Sequence, residues 1–210
     1  MADSESLTNL ITIAHDMHQH LSDIIALKNG AVHFRPTANG VTMVGLSPDR
    51  PQRGKGGYKA DQLKSNFDEE FEKHCVNIPQ GRPTPEKQLQ SYLISDAYRH
   101  NRQMMALQSL LPPAEKTSLI FVTDEISLAH GGQKIVCDIL ALNRTSTGDI
   151  PVLMELKSER AMTRLIQQLN DYVAVINAYH AQYEALFSAL LGRGHHIFCS
   201  AGKMVSVDIT

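Results

Sequence analysis

The sequence predicts an α/β domain: a three-strand meander held between two helices and followed by a strand, with a helical and hairpin extension ahead of it. Three observations predict this. From Thr84 onward the chain alternates helical and β-like stretches in the order helix, three strands, helix, strand, strand. The β-like runs are closed by turn-forming clusters, His130-Gly131-Gly132 and residues 143–149. Two of these runs carry acids among apolar neighbours: Asp138 between Cys137 and Ile139, and Glu155 just after Val152-Leu153-Met154. At 210 residues, 42% apolar and 20% charged, the chain has the length and composition to bury a full core. The expected division is an extension over residues 1–80 and a core over residues 81–210.

The extension begins with an amphipathic helix over residues 5–28, with Leu7, Leu10, Ile11, Ala14, Leu21, Ile24 and Ile25 near helical spacing. His15 and His18 could share a face as a metal pair, the basis of a distant reading as a metal-binding regulator. His20 faces elsewhere and no acid or cysteine completes a set, so a solvated histidine-rich face is the plainer reading. Ala31–Phe34 and Val41–Leu46 read as strands joined by a turn at Asn39-Gly40. Residues 47–58, rich in Pro and Gly with Arg50, Arg53 and Lys55, read as a loop, either an exposed linker or an arm that touches phosphates. A helix is expected over residues 59–75, where Leu63, Phe67 and Phe71 recur every four positions.

The core opens at Thr84-Pro85-Glu86, where Thr can cap a helix, Pro suits its first position and Glu complements its dipole. That helix is expected to run to Leu110, before Pro112-Pro113. Strands are expected over 118–128, 134–142 and 150–157. A long helix is expected over 159–191, with a stripe from Leu165 through Tyr172 and Tyr183 to Leu190, stopped by Gly192-Arg193-Gly194. Further strands are expected over 195–200 and 204–209. Asp124-Glu125 and His195-His196 flank strands and suggest no role.

A formal net charge of −2 gives no bulk attraction to nucleic acid or membranes, so a nucleic-acid site would need a local basic patch. Cys75, Cys137 and Cys199 lack metal-type spacing and read as buried thiols of a reducing compartment. Nothing reads as a signal peptide or membrane span, so the expectation is a cytoplasmic protein without a membrane partner.

Burying an unpaired carboxylate is expensive, so Asp138 and Glu155 call for a cationic partner. On a strand, Glu155 and Lys157 would share a face, with Leu156 opposite. If the two runs are neighbours, Asp138, Glu155 and Lys157 converge. Paired carboxylates suit Mg²⁺ or Mn²⁺, with the Leu156 carbonyl as a further ligand, and Lys157 could neutralise charge in a phosphoryl transition state. Glu86 lies on the inward face of its helix with Leu89 and Leu93, where it either serves the site or only the helix dipole. Gln168 and Tyr172 are one helical turn apart and share a face.

This pattern resembles the PD-(D/E)XK nuclease superfamily, the restriction-endonuclease-like fold, across residues 84–200. Asp138 stands at the acid of the second strand, Glu155-Leu156-Lys157 at E-x-K on the third, Glu86 at the first-helix glutamate, and Gln168 to Tyr172 at the Q-x-x-x-Y of RecB-type members. Cys137 departs from the family's Pro before the acid, and residues 1–80 lie outside the resemblance. The resemblance implies a mixed central sheet flanked by helices and a Mg²⁺- or Mn²⁺-dependent nuclease acting on DNA, with RNA left open. The ion would sit on Asp138, Glu155, Glu86 and the Leu156 carbonyl. Catalytic roles would fall to these acids with Lys157, Gln168 and Tyr172. Arg99, Arg102, Arg160 and Arg164 would form a basic rim for the phosphodiester backbone. The alternative is an inactive nucleic-acid-binding or assembly module on the same fold, of phage or mobile-element type. In a plainer reading still, Glu155 and Lys157 are a surface pair and Asp138 an edge charge. The apolar stripe beyond Tyr172 or the last strand could serve a homodimer, or both could be core.

Overall fold

The computed structural model describes residues 2–49, 51–78, 84–110, 118–130, 133–145, 148–156 and 162–192. Helix α1 (Ala2–Leu21) buries Leu7, Leu10, Ala14, Met17 and Leu21, the face its spacing marks out. It does not continue to residue 28. Ile24 is extended, and the single turn α2 (Ile25–Lys28) follows it, leaving Ile25 exposed. The chain then passes Gly30, which has φ +68° and where a Cβ would lie 2.5 Å from the Ser95 carbonyl oxygen, so only glycine fits.

Strands β1 (Val32–Thr37) and β2 (Gly40–Gly45) form the expected antiparallel hairpin, with Thr37 opposite Gly40. Residues 53–58, expected as loop, instead form β3 (Arg53–Tyr58) on the free edge of β2. The glycines that suggested a loop are what let this strand approach: a Cβ at Gly54 would fall 1.8 Å from the Met43 carbonyl oxygen. The helix expected over 59–75 is broken at Asn66 into α3 (Ala60–Ser65) and α4 (Phe67–Phe71), and a π-helical turn over Glu72–Val76 ends it.

Helix α5 (Pro85–Arg99) starts as its cap predicts, with the Lys87 N–H donating to Thr84 Oγ1 at 3.4 Å. It stops eleven residues short of Leu110. Asn101 and Arg102 take positive φ, and the Arg102 carbonyl accepts the Phe121 N–H at 2.7 Å, so this stretch is recruited to the sheet edge before α6 (Met105–Leu110).

Each of the first two expected strands is cut in two by a bend, and the third ends early. Strand β4 (Ser118–Asp124) ends at Glu125, whose φ of 43° turns the chain into the short β5 (Ser127–His130). Its partner β6 (Gln133–Val136) returns to the bend, where Cys137 and Asp138 separate it from β7 (Ile139–Arg144). Strand β8 (Asp149–Met154) then completes an antiparallel sheet in the order β4-β7-β8. Asp138 therefore lies between strands and Glu155 one residue past β8, rather than within strands as expected. Their flanking residues Ile139 and Met154 are paired in register.

The long helix is also two: α7 (Met162–Ala178) and α8 (His180–Leu191), parted at Tyr179 with φ −119° and ψ 36°. Both described three-strand sheets are antiparallel. The strands expected over 195–200 and 204–209, and Cys199, lie outside the described residues. Helix α1 packs along α8, and one continuous apolar core joins α1, β1, β2, α5, β4, β7, α7 and α8. Among the described residues no helix is long and apolar enough to cross a membrane.

Candidate metal centre at the bend of the meander

The level of Glu125 and Asp138 is where ladder hydrogen bonding lapses, and side chains take over there. The Asp138 N–H donates to Glu155 Oε2 at 3.4 Å, and Asp138 Oδ2 accepts the Leu156 N–H at 2.8 Å. The two half-buried acids thus meet and orient each other through backbone groups. Between them the Cys137 thiol is buried against the carbonyls of Ile139 and Met154, and burial pushes it up to about 12, so it stays protonated.

Helix α7 holds the bend. Gln168 Nε2 donates to Glu155 Oε1 at 3.1 Å and to the Val136 carbonyl at 2.9 Å. One turn on, Tyr172 is 1% exposed, and its hydroxyl donates to the Ile126 carbonyl at 3.0 Å. Burial raises the Tyr172 phenol well above its usual value. The Q-x-x-x-Y pair therefore splits its work: Gln168 reaches the acid, and Tyr172 holds Ile126 in the bend between β4 and β5.

Helix α5 also holds the bend, with residues the sequence did not single out. Gln90, 1% exposed, donates through Nε2 to the Asp138 carbonyl at 2.9 Å and to Asp124 Oδ2 at 3.2 Å. Its Oε1 accepts the Lys87 ammonium at 2.9 Å, and Lys87 also pairs with Glu125. Glu86, in the same first turn, is half-buried. Among the described residues no three His, Cys, Asp or Glu side chains are grouped to hold a metal, so Glu86 does not join Asp138 and Glu155, nor does a third ligand join His15 and His18.

Asp124 anchors a second polar cluster beside the first. Its oxygens accept His33 Nε2 at 2.9 Å, Arg35 Nε at 2.7 Å, Arg35 Nη2 at 2.5 Å and the Gln90 amide. Burial alone would raise the Asp124 carboxyl, but the Arg35 charge and the His33 contact overcome it and hold the acid well below the carboxylate range. Burial lowers His33, and Arg35 and Arg102 add to that against the pull of Asp124, so the ring is neutral. An ionised Asp124 only accepts, so His33 carries its proton on Nε2 and Nδ1 accepts the Tyr98 hydroxyl at 2.7 Å. Arg35 also holds Glu125 at 2.8 Å and Gln52 at 3.0 Å, and Gln52 and Glu125 both sit at positive φ. One signal for this cluster was present in the sequence: His33 and Arg35 alternate on one face of an apolar strand and demand a buried acid.

Of the expected basic rim, Arg99 is exposed and donates to the Asn29 carbonyl at 3.1 Å. Arg102 is half-buried, donating to the Val122 carbonyl at 2.9 Å and lying over the Tyr98 ring. Both sit at the far end of α5 from Gln90. Lys157 and Arg160 lie outside the described residues, as does the side chain of Arg164.

The arrangement is a carboxylate pair at the end of a three-strand sheet, held by side chains of two helices, α5 and α7. No family model, curated protein or solved structure matches this chain.

Proposed function

We propose that the protein is a metal-dependent nuclease that hydrolyses phosphodiester bonds of DNA, built on a restriction-endonuclease-like core. The observation that carries this is the meeting of Asp138 and Glu155 at one corner, tied together by the Asp138 N–H on Glu155 and the Leu156 N–H on Asp138. Two half-buried carboxylates with Gln168 steadying one of them suit Mg²⁺ or Mn²⁺, which takes one or two protein carboxylates and fills its remaining positions with water and phosphate oxygens. When bound, such an ion lowers the pKa of a water and offsets charge on the scissile phosphate. Asp138 and Glu155 would hold it. Gln168 orients Glu155, and Tyr172 keeps the bend closed beneath it. Lys157, next but one after Glu155 in sequence, is assigned to the attacking water or the transition-state charge. Arg160 and Arg164 are assigned to the DNA backbone.

The test is incubation of the protein with plasmid and single-stranded DNA in Mg²⁺, Mn²⁺ and EDTA. Cleavage should need the metal and disappear in both Asp138→Ala and Lys157→Ala. Survival in either variant removes that residue's assignment.

A second reading is a module that binds nucleic acid without turnover. It predicts DNA binding with no metal-dependent cleavage.

A further inference from the structure

We infer that Gln90 is the positioning residue of Asp138, and that through it the β1 hairpin braces the site. Asp138 stands where the ladder lapses, so its backbone relies on other groups. Its carbonyl accepts Gln90 Nε2 at 2.9 Å and, less closely, the Glu125 N–H at 3.4 Å. The orientation of Gln90 is fixed by its neighbours. Both amide hydrogens face acceptors, the Asp138 carbonyl and Asp124 Oδ2, and Oε1 faces the Lys87 ammonium. Flipping the amide would set oxygen against a carboxylate and NH₂ against an ammonium. Asp124 is itself clasped by His33 and Arg35 of β1, so the chain of contacts runs β1, Asp124, Gln90, Asp138 without a break. The extension, on this account, is part of what aims Asp138.

This inference rests on the nuclease reading for its consequence in catalysis, but its geometric half can be read separately. In Gln90→Met the volume is nearly kept and both donated bonds are lost. Amide hydrogen exchange at Leu156, whose N–H is held by Asp138, and at Glu125 should rise about ten-fold or more, while Leu63 in α3 and Tyr183 in α8 keep their rates. For metal-dependent DNA cleavage, kcat should fall about 10–100-fold with KM within about two-fold, as for other residues that orient a ligand. Should Gln90→Met fail to fold, Lys87→Met removes the ammonium that seats the amide together with its ion pair to Glu125, so only Leu156 exchange and kcat are read, with the same signs and a change of about five-fold. Unchanged exchange at Leu156 overturns the inference whatever the cleavage assay gives, and so does unchanged kcat in an active protein. If the unaltered protein does not cleave DNA, the nuclease reading falls, and Leu156 exchange alone decides whether Gln90 holds Asp138.

Discussion

Asp124 and Asp138 stand at the same bend, share Gln90, and are built for opposite ends. Asp124 accepts four donors: one from His33, two from Arg35 and one from Gln90. A carboxylate has about four lone-pair sites, so this one is saturated and has nothing left for a ligand. Asp138, among the described residues, receives one side-chain hydrogen bond, from the Leu156 N–H. The first acid is 0% exposed, while the second is half-buried. Burial and charge do not by themselves mark a functional acid. What separates the two is how much of each acid's accepting capacity the protein has already used.

The largest effect is expected at Asp124. Asp124→Ala leaves the half-buried Arg35 guanidinium only Glu125 and Gln52, and the buried His33 without its Nε2 acceptor. Removing one partner of a buried pair costs about 3–5 kcal/mol, which chemical denaturation would register as a large loss of midpoint at unchanged slope. The same cluster sets an acid limit. The folded values of both His33 and Asp124 lie below their unfolded ones, so the unfolded chain binds more protons as pH falls. Stability should therefore begin to decline below about pH 6.5 through His33 and decline further below about pH 4 through Asp124. Melting temperature against pH checks this, and in His33→Gln the decline between those two values should flatten.

Asp138→Asn should do the reverse. The amide oxygen can still accept the Leu156 N–H, so stability should stay within about 1 kcal/mol. Metal-dependent cleavage should drop at least about a hundred-fold, because the ligand charge is gone. Equal losses of stability from the two substitutions would mean that Asp138 is as structural as Asp124.

Tyr172→Phe sharpens the contrast within the Q-x-x-x-Y pair. Its hydroxyl serves the Ile126 carbonyl in a buried setting, so its removal should cost about 1–2 kcal/mol in denaturation. Gln168→Ala, by contrast, should act first on metal affinity through Glu155, by about 10–100-fold.

The meeting of Asp138 with Glu155 was legible because two neighbouring apolar runs each carried an acid at the same end, although both acids lie just outside the strands. The convergence of Asp138 with Glu155, and of Gln168 with both strands, follows from a meander and a helix crossing it. The Asp124 cluster was not, although His33 and Arg35 announced an unmet need for an acid. Their partner is 91 positions from His33, and periodicity cannot reach that far. Gln90 had no signal, since a glutamine on a helix is ordinary until a lapsed strand is set beside it. The early end of α5 escaped because a tertiary contact accompanies it: Arg102 sits in αL with its carbonyl bound to the Phe121 N–H of β4, against a continuous helical pattern. In β3 the glycines misled for the opposite reason, serving close approach to β2 rather than a turn.

The smallest effect concerns how far the bend's surroundings extend toward DNA. Arg99 is exposed and lies nine residues beyond Gln90, about 14 Å along α5. Its guanidinium is turned to the Asn29 carbonyl at the other end of the helix from Asp138. On this geometry Arg99→Ala should change stability by less than about 0.5 kcal/mol and leave DNA affinity within about two-fold. Affinity at a single salt concentration is a weak judge of one surface charge, so the decisive quantity is the dependence of log Kd on log salt. A phosphate contact contributes a slope of about 0.9 for duplex DNA, and its loss would lower the measured slope by that amount. An unchanged slope in Arg99→Ala would mean that Arg99 touches no phosphate, as its place at the far end of α5 from Asp138 leads us to expect. A slope lower by about one unit would instead require the duplex to follow α5 over its whole length. It would also place Asn29, which follows α2 and whose carbonyl Arg99 holds, beside the nucleic acid.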